Sequence, residues 1–116
     1  MPPVGPYTPV VRAGDWLIVS GQLGRTADGR FVEGGVGPQA TQAVANIAEL
    51  LEGHGASLTD VVKTTVFLAD IADFGEVNDA YVVAFGDHRP ARSAFATAGL
   101  PLGALVEIEA WAFAPQ

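Results

Sequence analysis

Arg92 opens a strand-like run, Arg92-Ser93-Ala94-Phe95-Ala96-Thr97-Ala98, that carries no other charge. A guanidinium in that setting wants a carboxylate. The partner could be a substrate acid held bidentately by the planar fork, or one of the chain's own glutamates in a structural ion pair, and composition leaves both open. Nearer the C-terminus, Leu105, Glu107, Glu109, Trp111 and Phe113 alternate with Val106, Ile108, Ala110 and Ala112. Period-two geometry puts the two carboxylates about 7 Å apart on one face, beside two large aromatics. That mixture suits an interface with a polar pocket, although spacing alone fits two solvated glutamates on an exposed strand better.

Other chemistry is thinly supplied. With no cysteine, a disulfide framework, a thiolate nucleophile and a Cys-based zinc or iron–sulfur site are ruled out. Ser20, in Val19-Ser20-Gly21-Gln22, lacks a nucleophile elbow and reads as a strand-terminal turn. Tyr7, in Gly5-Pro6-Tyr7-Thr8, reads as a half-buried tyrosine after a turn. His54 follows a helix near two glycines and His88 lies in a polar loop. Neither has a ligand-spaced partner, so both read as non-catalytic and no metal site is expected. Arg89 reads as a surface charge, and Gly34-Gly35-Val36-Gly37, which does not follow a strand, as a flexible loop rather than an anion cradle.

The elements that must position these residues follow from periodicity. Residues 9–12 and 16–20 flank Ala13-Gly14-Asp15 and predict an opening hairpin. Residues 24–37 are loop-like, with a turn at Asp28-Gly29. Ala40, Ala43, Val44, Ile47, Leu50 and Leu51 recur at helical spacing over 38–54, with Pro38 in the first turn and Gly53 and Gly55 as the stop. Residues 61–68, rich in Val and Thr, predict a largely buried strand. Asp73 with Glu76 makes a capping-box pattern before a second helix whose apolar stripe is Phe74, Val77, Tyr81 and Phe85, ended by Gly86. Strands over 91–98 and 105–113 close the chain. The order ββαβαββ predicts an α+β fold: a mixed sheet with both helices on one face and the other face in need of a separate cover.

Length and composition agree with one domain over residues 1–116, since 49% hydrophobic residues supply a core without staples. A net charge of −7 disfavours nucleic acid as a partner, there being no basic cluster to hold a phosphate backbone. The N-terminal residues show no targeting pattern and no run is long enough to span a membrane, so a soluble protein of the cytoplasm is expected. With only 16% charged residues, burial between copies would relieve the apolar excess.

Taken in order, Gly5-Pro6-Tyr7-Thr8, Val19-Ser20-Gly21-Gln22, residues 61–68, Arg89-Pro90-Ala91-Arg92-Ser93 and Val106-Glu107-Ile108-Glu109-Ala110 resemble the Rid (reactive intermediate deaminase, YjgF-type) family along almost the whole chain. The resemblance implies a chorismate-mutase-like fold assembled as a homotrimer, three sheets forming a central barrel with helices outside. It implies clefts between subunits that bind small 2-imino or 2-keto acids, and hydrolysis of enamines such as 2-aminoacrylate, through the imine, to a 2-keto acid and ammonia. Neither cofactor nor metal is implied, because an imine carbon is already electrophilic. By position Arg92 matches the carboxylate clamp and Glu107 the acid that activates water. Tyr7 and Ser20 match pocket-lining residues, and the backbone at Ala94 is expected to offer further hydrogen bonds. Ala94 stands where many members carry cysteine, which changes pocket shape, and Pro9 where glutamine is common. Asn78 matches the family's helix asparagine and is expected outside the core of the site. The main alternative is a non-catalytic keto-acid-binding regulator on the same fold; nucleic-acid cleavage or translation inhibition is disfavoured by the acidic balance.

Overall fold

A computed structural model describes residues 3–116; the first two residues of the N-terminal stretch lie outside the described residues. Strands β1 (Val10–Ala13) and β2 (Trp16–Leu23) form the expected hairpin, pairing antiparallel around Gly14, which turns at φ 61°. β2 runs three residues past Ser20 through a bulge between Val19 and Gln22, so the glycine in Ser20-Gly21-Gln22 marks an irregularity rather than a strand end. Helix α1 (Val36–Glu52) buries Ala40, Ala43, Val44, Ile47 and Leu51, the predicted stripe but for the half-buried Leu50. β3 (Val61–Leu68) has the predicted bounds, followed by α2 (Phe74–Phe85), β4 (Ala91–Ala96) and β5 (Val106–Phe113).

The capping box predicted at Asp73 does not form. A 3-10 turn, Ile71–Asp73, precedes α2 and is capped by Asp70, whose carboxylate accepts from the Ala72 N–H at 2.9 Å. Glu76 instead reaches the start of α1 and accepts from the Gly37 N–H at 3.1 Å. One orphan donor of the α1 N-terminus is thus satisfied from within the chain, and the glycines before it are turn residues, with Gly34 and Gly35 at positive φ.

The sheet order is β1-β2-β5-β3-β4, with β3 and β4 parallel and every other pair antiparallel. Both helices cover one face. There Leu17, Val19, Thr64, Val66, Leu68, Val106, Ile108, Ala110 and Ala112 meet Ile47, Leu51, Val77 and Tyr81 in a single core. The opposite face is uncovered: Trp111, Phe113 and Phe95 are each more than two-fifths exposed. β3 is largely buried, as expected, its fully buried positions alternating with partly buried ones on the open face. Among the described residues no helix is long and apolar enough to cross a membrane.

Candidate functional site

Arg92 sits on β4, an edge strand, directly beside Thr64 in the parallel register. Thr64 is fully buried in the helix-covered face, so Arg92 and Ala94, two residues on, lean to that side. The guanidinium is half-buried, with its Cζ 5.0 Å from the Tyr81 ring centroid and 5.5 Å from that of Phe74, both on α2. Around it Asn78, Tyr81, Val82, Arg89 and Pro90 shape a cavity of about 230 Å³. Among the described residues the one ion pair is Arg30 with Asp28, so no glutamate of this chain neutralises Arg92. Of the two partners left open by the sequence, the internal ion pair is not made.

Asn78 belongs to this cavity, contrary to its expected place outside the core of the site, and its Oδ1 is buried without a hydrogen-bond partner. An unsatisfied buried carbonyl is costly, which makes it a waiting acceptor for something that enters. Phe74, Asn78 and Tyr81 stand at helical spacing on one face of α2, so the polar residue interrupting an apolar stripe was the signal available in the sequence. Arg89 is exposed, its guanidinium donating to the Gly86 carbonyl and, at 3.0 Å, to that of His88. His88 and His54 are occupied by backbone carbonyls, Nε2 with Val61 at 2.7 Å and Nδ1 with Leu50 at 3.2 Å.

Glu107 lies elsewhere. From β5 it pairs with Phe67, three residues beyond Thr64 on β3, and an odd separation along a strand means opposite faces. Glu107 and Glu109 thus share the uncovered face, as alternation predicted. The Glu107 carboxyl packs against Gly21, where any side chain would overlap its Oε2. Partial burial, and secondly the neighbouring Glu109 charge, push the Glu107 pKa above its ordinary value. Ser20, next to Gly21, donates its hydroxyl to the Thr8 carbonyl at 2.7 Å, and so ties the segment bearing Tyr7 to β2. Tyr7 is two-fifths exposed and borders a second, larger cavity of about 380 Å³ between that segment, the turn after β2 and α1. That cavity includes Gly21 but neither Arg92 nor Glu107; size alone does not mark the chemistry. Within one chain the predicted residues therefore do not come together: Arg92 and Ala94 lean to the helix-covered face, Glu107 lies on the uncovered face against Gly21 next to Ser20, and Tyr7 borders the larger cavity.

The fold and site define an α+β protein with a five-stranded mixed sheet, two helices on one face and an unneutralised arginine in a cavity at its edge. The chain belongs to the endoribonuclease L-PSP family, whose model matches residues 1–114. Similar proteins include the 2-iminobutanoate/2-iminopropanoate deaminases of Bos taurus and Homo sapiens, 49% and 46% identical over 108 residues, which are 92% of this chain and 79% of each relative. Among solved structures, the YjgF gene product of E. coli superposes with a TM-score of 0.90 at 38% identity, over 96% of this chain and 90% of that one. E. coli TdcF with bound serine does so with the same TM-score and coverage at 33% identity. The Rid resemblance read from the motifs is thus borne out.

Proposed function

We propose that this protein is a deaminase of small 2-imino acids such as 2-iminopropanoate, acting as a cytoplasmic homotrimer, with residues 1–116 forming a single domain. The observation that carries the reading is Arg92, half-buried in a cavity with no carboxylate of its own chain to neutralise it. The names of the deaminase relatives supply the substrate class. Because Arg92 and Glu107 lean to opposite faces, one chain cannot bring them to the same small molecule. A site containing both joins two copies: Arg92, Ala94 and Asn78 from one, Glu107, Ser20 and Tyr7 from the next. The uncovered sheet face and the free edge of β4 supply the surface for that assembly. A net charge of −7 supports a small anionic substrate held by one local cation over a nucleic acid.

In this site the guanidinium fork takes the substrate carboxylate and fixes the imine carbon. Water adds through oxygen to that carbon, and Glu107 accepts the proton the water loses. Glu107 returns that proton to the nitrogen to give a carbinolamine, and the hydroxyl proton then passes to the nitrogen as the C=O bond forms and the C–N bond breaks, releasing ammonia and a 2-keto acid. In the single chain partial burial and Glu109 raise the Glu107 pKa, and in the joined site the Arg92 guanidinium opposes that shift and favours the proton-accepting carboxylate.

The test is release of 2-keto acid and ammonia from imines generated by an amino-acid oxidase, with assembly checked by sedimentation. Wild type is expected to accelerate release, and Arg92→Ala to lose roughly a hundredfold or more in kcat/KM, the scale of misplacing a reacting group. No acceleration over buffer with any imine would leave a metabolite-binding protein in place of the enzyme.

A further inference from the structure

A half-buried guanidinium loses part of its hydration, and the usual compensation is a carboxylate. At Arg92 that compensation would defeat a clamp, because an internal acid would cancel the charge and occupy the N–H edge meant for substrate. Two aromatic faces stand there instead, Tyr81 at 5.0 Å and Phe74 at 5.5 Å from Cζ. An aromatic face attracts the cation through its quadrupole yet accepts none of the five in-plane N–H bonds. Arg92 makes no side-chain hydrogen bond among the described residues, so the fork is free while the two ring faces attract its charge.

The Tyr81 ring is itself fixed. Its hydroxyl shares a 2.7 Å hydrogen bond with Thr64 Oγ1, and Thr64 is the residue paired in register with Arg92. Phe85 backs the ring at 4.6 Å between centroids. Helix α2 is thereby pinned at the strand position that carries the arginine. Phe74, seven residues earlier and two-fifths exposed, contributes little to the core and so has less structural reason to be aromatic.

We infer that Phe74 and Tyr81 are positioning residues for Arg92, holding the guanidinium by its face so that its N–H edge meets an incoming carboxylate. This rests on the clamp reading of Arg92 proposed above. The full-length protein is titrated with 2-oxobutanoate, and the Arg92 Nε–H resonance and steady-state kinetics on the corresponding imine are followed in parallel. Phe74→Leu is expected to weaken 2-oxobutanoate binding and raise KM by about tenfold, at the upper end of what a partly desolvated cation–π contact supplies, while kcat changes less. The Nε–H resonance moves as the ring current is lost, and Phe74→Trp restores both. Tyr81→Phe, which keeps the ring and removes the tether to Thr64, weakens binding by a smaller factor. Wild-type affinity in Phe74→Leu, an unmoved Nε–H resonance, or no restoration by Trp overturns the inference. If Arg92→Ala itself binds 2-oxobutanoate as wild type does, the clamp has failed. If Arg92→Ala loses binding while Phe74→Leu does not, only the positioning role has.

Discussion

The two faces of the sheet are built to different standards. On the helix side the strand residues Leu17, Val19, Val66, Leu68, Val106 and Ile108 are enclosed, and the buried polar pair Thr64 and Tyr81 is satisfied by its own hydrogen bond. On the other side Trp16, Trp111 and Phe113 stack edge to face at 5.1–6.1 Å, and Phe67 meets Phe95 at 5.3 Å, with Glu107 and Glu109 set among them. Aromatic packing left half-open to water in this way fits the apolar centre of the interface proposed above. One face makes the chain fold; the other is the surface that the proposed assembly would cover. The candidate site straddles the division, with its cation at the edge of the finished face and its acid on the unfinished one.

That contrast can be broken by truncating one side chain from each face. Ile47 is wholly enclosed by the core, and Ile47→Ala should cost about 2–5 kcal/mol of folding stability, read by denaturant unfolding. Trp111 is 42% exposed. Trp111→Ala should change the secondary structure of the chain little and act on association, weakening the proposed trimer by roughly 2 kcal/mol or more at each contact if Trp111 is a buried anchor there. Sedimentation over a range of concentrations separates the two effects. A Trp111→Ala protein that assembles as tightly as wild type would mean that the open aromatic face is not the interface.

How much of this was legible depended on distance along the chain. The Val- and Thr-rich run gave β3 its bounds, and helical spacing gave α1 its buried stripe, because both patterns are local. The capping box at Asp73 and Glu76 misled because its local pattern was present while a tertiary partner, the Gly37 N–H, took the carboxylate. Gly21 read as a strand end, whereas its lack of a side chain serves the close approach of Glu107 from a strand remote in sequence. Alternation placed Glu107 and Glu109 together correctly. That Arg92 leans to the other face was not legible, since it depends on β3 pairing in register with both β4 and β5. Phe74 and Tyr81 looked like core residues by spacing, and only the polar Asn78 between them hinted that this stripe also borders a cavity.

The finest test of the contrast is the charge of Glu107. Its pKa is raised by partial burial and by Glu109, so the folded protein holds the proton more tightly than the unfolded chain does. Between the unfolded and the raised folded pKa the native state binds more protons, and stability therefore falls as pH rises through that window. Above it the ionised carboxylate carries a standing cost; below the unfolded pKa the cost is gone. Glu107→Gln removes the charge and keeps the shape, so at dilutions where the chain is single it should melt slightly higher than wild type at neutral pH, with the difference shrinking to nothing as the solution is acidified through the carboxylate range. The same substitution should abolish most deaminase activity, because the proton acceptor is lost. Stability gained where activity is lost marks a group kept for chemistry, unlike Ile47, whose truncation should lower both together. A Glu107→Gln protein that melts lower than wild type at neutral pH would instead place Glu107 among the groups that hold the structure together.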